Sequence, residues 1–467
     1  MNTIEVLRKL EKDTKSTYNT EVFITGGFVR DLLRKKRNMD LDVVVRFMPL
    51  EEIQKYLSKF GKTKMRTMSH TNTTSAVTIV IFRANGDDME AQITSPKGIK
   101  KGEADIKATL KQDSSQRDFT VNAMYIPINR ISSKNVIDYW GGKNDIAGRQ
   151  LLTVGSAKAR FIQSPIRIMR AFALASRFNY NIAHHVKSAI TENAHLLKSV
   201  PQEAIRAELE DILLSQKPST YLKMMQKLGV LKVILPELDA CAYCVQDKKY
   251  HKYNVFNHLV YTCDFIEPTI VLRLAGLFHD IGKPTTKSNE SNDKITFHKH
   301  EVVGARLAAV ILKRLCFDTK TIEEVTHLIR MHMYHYTREY TDAGIRRFIV
   351  NAKMTENDVA DIGNFPLFKL RIAERLGNGF KKQSVTPRQK DFEERIQQVF
   401  KTSTGLTIGD LAINGKDLIE IFSMKPSKDI GVVLSHLLNL VLEDPSINNR
   451  NDLLHCALDF IENRKET

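Results

Sequence analysis

The apolar pattern of this chain changes period once, near Pro165. Upstream, five short runs rich in β-branched and aromatic residues read as strands: Val22 to Thr25, Leu41 to Val45, Ala76 to Phe82, Glu90 to Thr94 and Phe119 to Ile126. Downstream, apolar residues recur at i, i+3 and i+4, as in Tyr221 to Leu228 and Val302 to Leu315, and few strand-like segments remain. Strands gathered at one end and helices at the other predict an α+β head followed by an all-α body. Joints are expected near Gly155, across Pro236 to Cys244 and in the polar stretch Gly377 to Lys390. They divide the 467 residues into 1–155, 156–240, 241–385 and 386–467.

Composition narrows the class. Hydrophobic residues at 42% and charged residues at 27% exclude a disordered chain, and the formal charge of +16 favours a polyanionic partner. No apolar run reaches the ~18–20 residues of a membrane span. The best, Thr269 to Ile281, is broken by Arg273 and by His279-Asp280. The first residues carry Glu5, Arg8, Lys9, Glu11 and Lys12 without an apolar core, unlike a secretory signal, so a cytoplasmic location is expected. Five cysteines make no disulfide framework. Cys241 and Cys244 have metal-like spacing, but one CxxC without a second pair reads as two reduced thiols.

The head holds the first chemical constellation. The strand ending at Thr25 runs into Gly26-Gly27, and Phe28 to Leu33 reads as the first turns of a helix. Such a turn lets backbone N–H groups approach a phosphate at a helix N-terminus. Asp40 and Asp42 then open the next strand, where residues i and i+2 face the same way. Two carboxylates beside a phosphate cradle suit a pair of Mg2+ ions, which activate a hydroxyl and stabilise a pyrophosphate leaving group. Glu90, after the Asn85-Gly86 turn, is the expected third carboxylate, with Asp87 and Asp88 as turn residues.

Gly26-Gly27-Phe28-Val29-Arg30-Asp31, Asp40-Leu41-Asp42 and Arg117-Asp118-Phe119-Thr120-Val121-Asn122-Ala123-Met124 together resemble the signature motifs of the class II tRNA nucleotidyltransferase and bacterial poly(A) polymerase family. The resemblance implies a polymerase-β-like nucleotidyltransferase head over 1–155, with Asp40 and Asp42 as catalytic metal ligands. It implies nucleotide binding by Gly26, Gly27, Arg30, Asp31, Arg117, Asp118 and Asn122. Chemically, Arg117 forks two hydrogen bonds to phosphate and Asp118 accepts from ribose hydroxyls. Residues 156–240 then correspond to a helical neck that reads the nucleotide.

There the chain departs from the family. The family's Glu-Asp-x-x-Arg, whose Asp and Arg read the Watson–Crick edge of the incoming base, is matched by Gln163-Ser164-Pro165-Ile166-Arg167. A carboxylate accepts from the exocyclic amine of C or A, while a guanidinium donates to ring nitrogen. Ser164 and Gln163 offer only neutral bonds, so metal chemistry is expected to survive while selectivity for CTP and ATP weakens. Ser164, Arg167 and Arg170 are the base-contact candidates. The segment Pro201 to Leu209 matches the next family motif with Glu203 and Glu208, has Ala204 where arginine is usual, and reads as a brace for the neck.

The body holds a second constellation. His279-Asp280 ends an apolar run, a costly place for both groups without a ligand role. With His258, His300 and His332 they resemble an HD-domain phosphohydrolase, whose last acid is matched here by Glu374, a glutamate in place of aspartate. The resemblance implies a divalent ion, Mg2+, Mn2+ or Ni2+, and hydrolysis of a cyclic phosphate or phosphomonoester. His184, His185, His298, His327 and His335 read as surface or core groups. The stretch Leu411 to Leu418 with Lys425 to Gly431 resembles the tail of HD-containing members, implying RNA contact over 386–467.

The leading expectation is an enzyme that adds CMP and AMP to the 3′ end of tRNA, taking CTP and ATP, with no membrane partner. A poly(A)-type or altered-specificity 3′ extension is the second reading. A nucleotide- or RNA-binding head beside an active HD hydrolase is the third.

Overall fold

The computed structural model describes residues 1–69, 76–98, 104–289, 295–381, 385–403 and 406–464. The chain divides into two compact units, Met1–Asp239 and Ala240–Thr467.

The first unit is built on a seven-stranded sheet: β1 (Glu21–Thr25), β2 (Asp40–Arg46), β3 (Gly61–Ser69), β4 (Ala76–Ala84), β5 (Glu90–Thr94), β6 (Met124–Pro127) and β7 (Ile137–Asp138), in the order β3-β4-β5-β2-β1-β6-β7. Only β2 and β5 run parallel, so the sheet is mixed. In β2, Leu41, Val43 and Val45 point into the main core, which also contains Val6, Leu7 and Leu10 of α1 (Thr3–Tyr18). Asp40, Asp42 and Val44 therefore share the opposite face. There Val44 joins Tyr125 and Leu110 in a small second core, while Asp40 and Asp42 are exposed. Period-2 alternation thus holds one strand in the core and delivers its two acids to the other side.

The run expected as a strand over Phe119 to Ile126 is a strand only at Met124–Pro127. Thr120–Asn122 form a 3₁₀ turn, and Phe119 bridges back to Thr153. The apolar residues here are buried on both sides of a turn, so their run mimics a strand. After α2 (Gly26–Leu33), α3 (Leu50–Leu57), α4 (Leu110–Ser114) and α5 (Gly142–Ala147), the helical neck begins with α6 (Ala157–Gln163) and α7 (Ile166–Phe178). Pro165 separates them: the residue before a proline avoids helical geometry, and Ser164 is extended at φ −154°, ψ 95°.

The second unit is almost wholly helical. Its described exceptions are the short antiparallel strands Lys287–Asn289 and Ile295–Phe297. Helices Val255–Phe265, Ile270–Phe278, His300–Arg314, Thr319–Met331 and Pro366–Gly377 make the packed body. A separate core around Leu411, Leu418, Leu437, Val441 and Leu453 holds the tail. Among the described residues no helix is long and apolar enough to cross a membrane.

Candidate active sites

In the head, the β1–α2 turn and the start of β2 are built against each other. Gly26 has φ +67°, and a Cβ there would collide with Asp42 Oδ2, so only glycine lets the turn approach the carboxylate. The Gly27 N–H points at that carboxylate and favours its charge, as does Arg117. Packing around Asp42, the largest influence, and neighbouring Asp40 oppose them, and its carboxyl lies above the usual range. Glu90 stands beside Asp40 in the parallel β2–β5 register, on the same face, with Oε2 3.4 Å from Arg83 Nη2. Asp40 opposes the charge on Asp42, and such a pair of carboxylates fits a hard divalent ion; among the described residues Glu90 does not close with them into a three-ligand group and is paired with Arg83 instead.

Arg30 and Asp31 sit deeper, at 6% and 8% exposure. Asp31 accepts from Arg30 Nη2 (2.9 Å), Arg34 Nη1 (3.1 Å) and Asn38 Nδ2 (2.8 Å), while Arg30 Nη1 donates to Asn122 Oδ1 (2.8 Å) and its guanidinium lies over the Phe178 ring at 4.1 Å. Breaking one partner of a buried pair costs about 3–5 kcal/mol. Their bonds go to the protein. Asn38 in turn accepts the Asp40 N–H at 2.8 Å, so the Asp31 network sets where β2 begins.

Arg117 bonds Asp113 Oδ2 (3.2 Å) and Tyr125 Oη (3.1 Å), and Tyr125 donates to the same Asp113 oxygen at 2.5 Å. Burial works against the Asp118 carboxylate, but Arg170 and Arg167 outweigh it and hold the group below its usual range. Arg170 reaches Asp118 Oδ2 (3.5 Å) and Glu208 Oε1 (3.3 Å). Gln163 Oε1 accepts from Arg160 Nη1 (3.2 Å) and Arg167 Nη1 (2.9 Å), and Arg167 Nη2 donates to the Gln116 carbonyl (3.1 Å). Gln163 thus fixes the arginine where the family has an acid, and Ser164 marks the α6–α7 break beside it.

Three neighbours, Lys97, Arg160 and Asp113, were not among the sequence candidates, and Glu208 was placed only on a brace. Lys97 is pushed down by burial and by Arg117 and Arg167, although Asp113 favours its charge, so it belongs to the same basic cluster. Arg160 bonds the Ser115 and Val154 carbonyls. Asp113 anchors Arg117. Glu208 lies on the helix expected as a brace yet touches Arg170 directly, and its motif match was the signal available.

In the second unit, His258, His279, Asp280, His300 and His332 converge in two metal-capable groups, His258–His279–Asp280 and Asp280–His300–His332. His279, His300 and His332 each turn Nδ1 to a backbone carbonyl, of Gly276 (2.9 Å), Phe297 (2.7 Å) and Ile329 (2.6 Å). That contact fixes the tautomer with a free lone pair on Nε2. All three Nε2 atoms lie 3.1–3.6 Å from Asp280, and those of His300 and His332 are buried without a hydrogen-bond partner. Orphaned, converging imidazole nitrogens around a carboxylate fit a divalent metal. Lys283 Nζ sits 2.7 Å from Asp280 Oδ2.

Burial lowers His279 to about 3, helped by His258 and His332 and opposed by Asp280. At His300 burial also opposes the proton, but Asp280 outweighs it and raises the group. Glu374 joins neither metal-capable group. Its Oε2 pairs with Arg371 Nη1 at 3.2 Å, and against burial Arg371 and three of the histidines lower it to about 2. His251, which the sequence reading passed over, packs 6.0 Å from the His258 ring and is lowered to about 4, chiefly by burial. Cys241 and Cys244 are buried and outside any disulfide, the latter pushed up by burial.

A mixed sheet with paired acids beside a glycine turn defines a nucleotidyltransferase head, and the histidine cluster defines an HD-type body. Residues 22–152 match the poly A polymerase head domain, 179–241 the probable RNA- and SrmB-binding site of polymerase A, and 250–363 the HD domain. The chain belongs to the tRNA nucleotidyltransferase and poly(A) polymerase family, in its HD-containing form. It is 30% identical over 255 residues to the A-adding tRNA nucleotidyltransferase of Deinococcus radiodurans, covering 52% of this chain and 57% of that one. To the CC-adding tRNA nucleotidyltransferase of Thermus thermophilus it is 25% identical over 350 residues, 72% and 75% of the two chains. The crystal structure of the Bacillus stearothermophilus CCA-adding enzyme in complex with CTP shares the fold at TM-score 0.65 and 18% identity, over 100% of this chain and 98% of that one.

Proposed function

We propose that the head adds CMP and AMP, from CTP and ATP, to the 3′ end of tRNA without a nucleic-acid template. One observation carries this: the register that sets Asp40, Asp42 and Glu90 on a single face, with the Gly26 turn closed against Asp42. Asp40 and Asp42, with Glu90 alongside, are the residues to hold Mg2+. That metal supplies activation of the terminal 3′-hydroxyl and neutralises charge on the leaving pyrophosphate. Arg117, held by Asp113 and Tyr125, presents its guanidinium to phosphate oxygens. Asp118 accepts from the ribose hydroxyls, and Arg167 with Ser164 faces the base. Gly26, Gly27, Arg30, Asp31 and Asn122 shape the cradle. The relatives include A-adding and CC-adding enzymes, so the number of steps performed is part of the question.

In the second unit His258, His279, Asp280, His300 and His332, with Glu374 nearby, hold a divalent ion, Mg2+, Mn2+ or Ni2+, for hydrolysis of a phosphate ester. The orphaned Nε2 atoms support this reading. Five cysteines outside any disulfide suit the reducing cytoplasm, where tRNA would be met.

The test offers each NTP singly with Mg2+ to tRNA ending at the discriminator base, after C, or after CC. Stepwise addition that stops within the CCA sequence is expected. Long homopolymer tails would replace the reading with poly(A)-type extension, and no incorporation at all would sink both.

A further inference from the structure

Within the second unit a recess of about 130 Å³ lies between Tyr334–Tyr336, the helix Pro366–Gly377 and the start of the helix Pro387–Thr402. Three arginines line it. Arg371 is committed to Glu374 and also reaches the His332 and Tyr334 carbonyls at 3.5 Å, which ties the recess to the histidine centre. Arg375 and Arg388 have no carboxylate partner among the described residues, and Arg375 Nε is buried without an acceptor. A buried donor left unmatched is costly, so an acceptor from outside the chain is called for. The 16-residue helix that begins at Pro387 adds the partial positive charge of its N-terminus.

Several positive groups around one small recess define what it takes. Pockets for drug-sized ligands run to about 300–1,000 Å³, so this one fits a single tetrahedral anion. We propose that the recess formed by Arg371, Arg375 and Arg388 is a phosphoryl-binding site that holds a second phosphate of the substrate whose ester is cleaved at the His/Asp centre. Its use by that centre rests on the hydrolase reading above; its affinity for phosphate does not.

Isothermal titration of inorganic phosphate into the full chain, with EDTA present, decides the matter. The Arg375→Gln/Arg388→Gln double variant is expected to bind at least tenfold more weakly, with unchanged circular dichroism and thermal unfolding. Arg167→Gln in the head is expected to leave phosphate binding within twofold. Equal affinity in the double variant and the unaltered chain, or loss of binding in Arg167→Gln, overturns the proposal. Hydrolysis of a nucleoside 2′,3′-cyclic phosphate bearing a 5′-phosphate then reads its use: the double variant should raise KM about tenfold with kcat within twofold. If the unaltered chain releases nothing, the hydrolase reading falls, and the titration alone decides the phosphate site.

Discussion

The two candidate centres solve the problem of holding a cation in opposite ways. In the head, Asp40 and Asp42 stand at the exposed start of one strand, and the neighbouring Arg30, Arg117, Arg167 and Arg170 are already held by Asp31, Asp113, Gln163, Asp118 and Glu208. In the second unit, four histidines and Asp280 are buried, and three rings are oriented by backbone carbonyls before any ligand arrives. An open pair of acids suits an ion that comes and goes with a nucleotide. A closed, pre-oriented imidazole shell suits an ion that stays.

The sharpest break of this contrast is to remove one acid from each centre. Asp42→Ala is expected to lower nucleotide incorporation by about 10³-fold or more, with the metal content of the second unit unchanged by elemental analysis. Asp280→Asn should do the reverse. Metal bound after dialysis should fall by more than the 10–100-fold that loss of an outer-shell partner costs, with incorporation held within about twofold. Were Asp280→Asn to abolish incorporation, the two centres would not be chemically separate.

Legibility in the sequence follows the same division. The head acids share one strand and the glycine turn lies just upstream, so period-2 alternation predicts their convergence without tertiary knowledge. Asp31 was legible as a motif member but not as the anchor of Asn38, because side-chain networks across a turn leave no periodic trace. Lys97 and Arg160 lie on a loop and a helix whose charges look like ordinary surface, and only packing gathers them. The five clustered residues of the body come from four separate segments; the adjacent His279-Asp280 pair and the family pattern pointed to them, whereas His251 and the Arg371–Glu374 pairing needed the fold. Phe119 to Ile126 failed because burial of a turn on both sides imitates a strand.

Two smaller effects sharpen the contrast. Ser164→Asp restores a charged acceptor beside Arg167, and the ratio of CMP or AMP to UMP incorporation is expected to rise about tenfold, the scale of one good base contact. Asn38→Ala frees the start of β2 and should lower incorporation about tenfold through Asp40, with Kd for nucleotide nearly constant. The smallest effect is on stability. His279 and His251 take up protons in the unfolded chain near pH 6.5 but in the folded chain only near 3 and 4. Their contribution is therefore full above pH 6.5 and is lost as pH falls toward 4. Metal-free protein should show a falling Tm over that window by calorimetry, and His251→Gln should flatten the fall.

The most direct measurement is single-turnover transfer of CMP from CTP to tRNA ending at the discriminator base, after exhaustive chelation and return of Mg2+ alone. The open head site predicts full recovery on mixing, whether or not the histidine centre has regained its ion. Recovery that instead tracks reloading of the histidine centre would contradict the account.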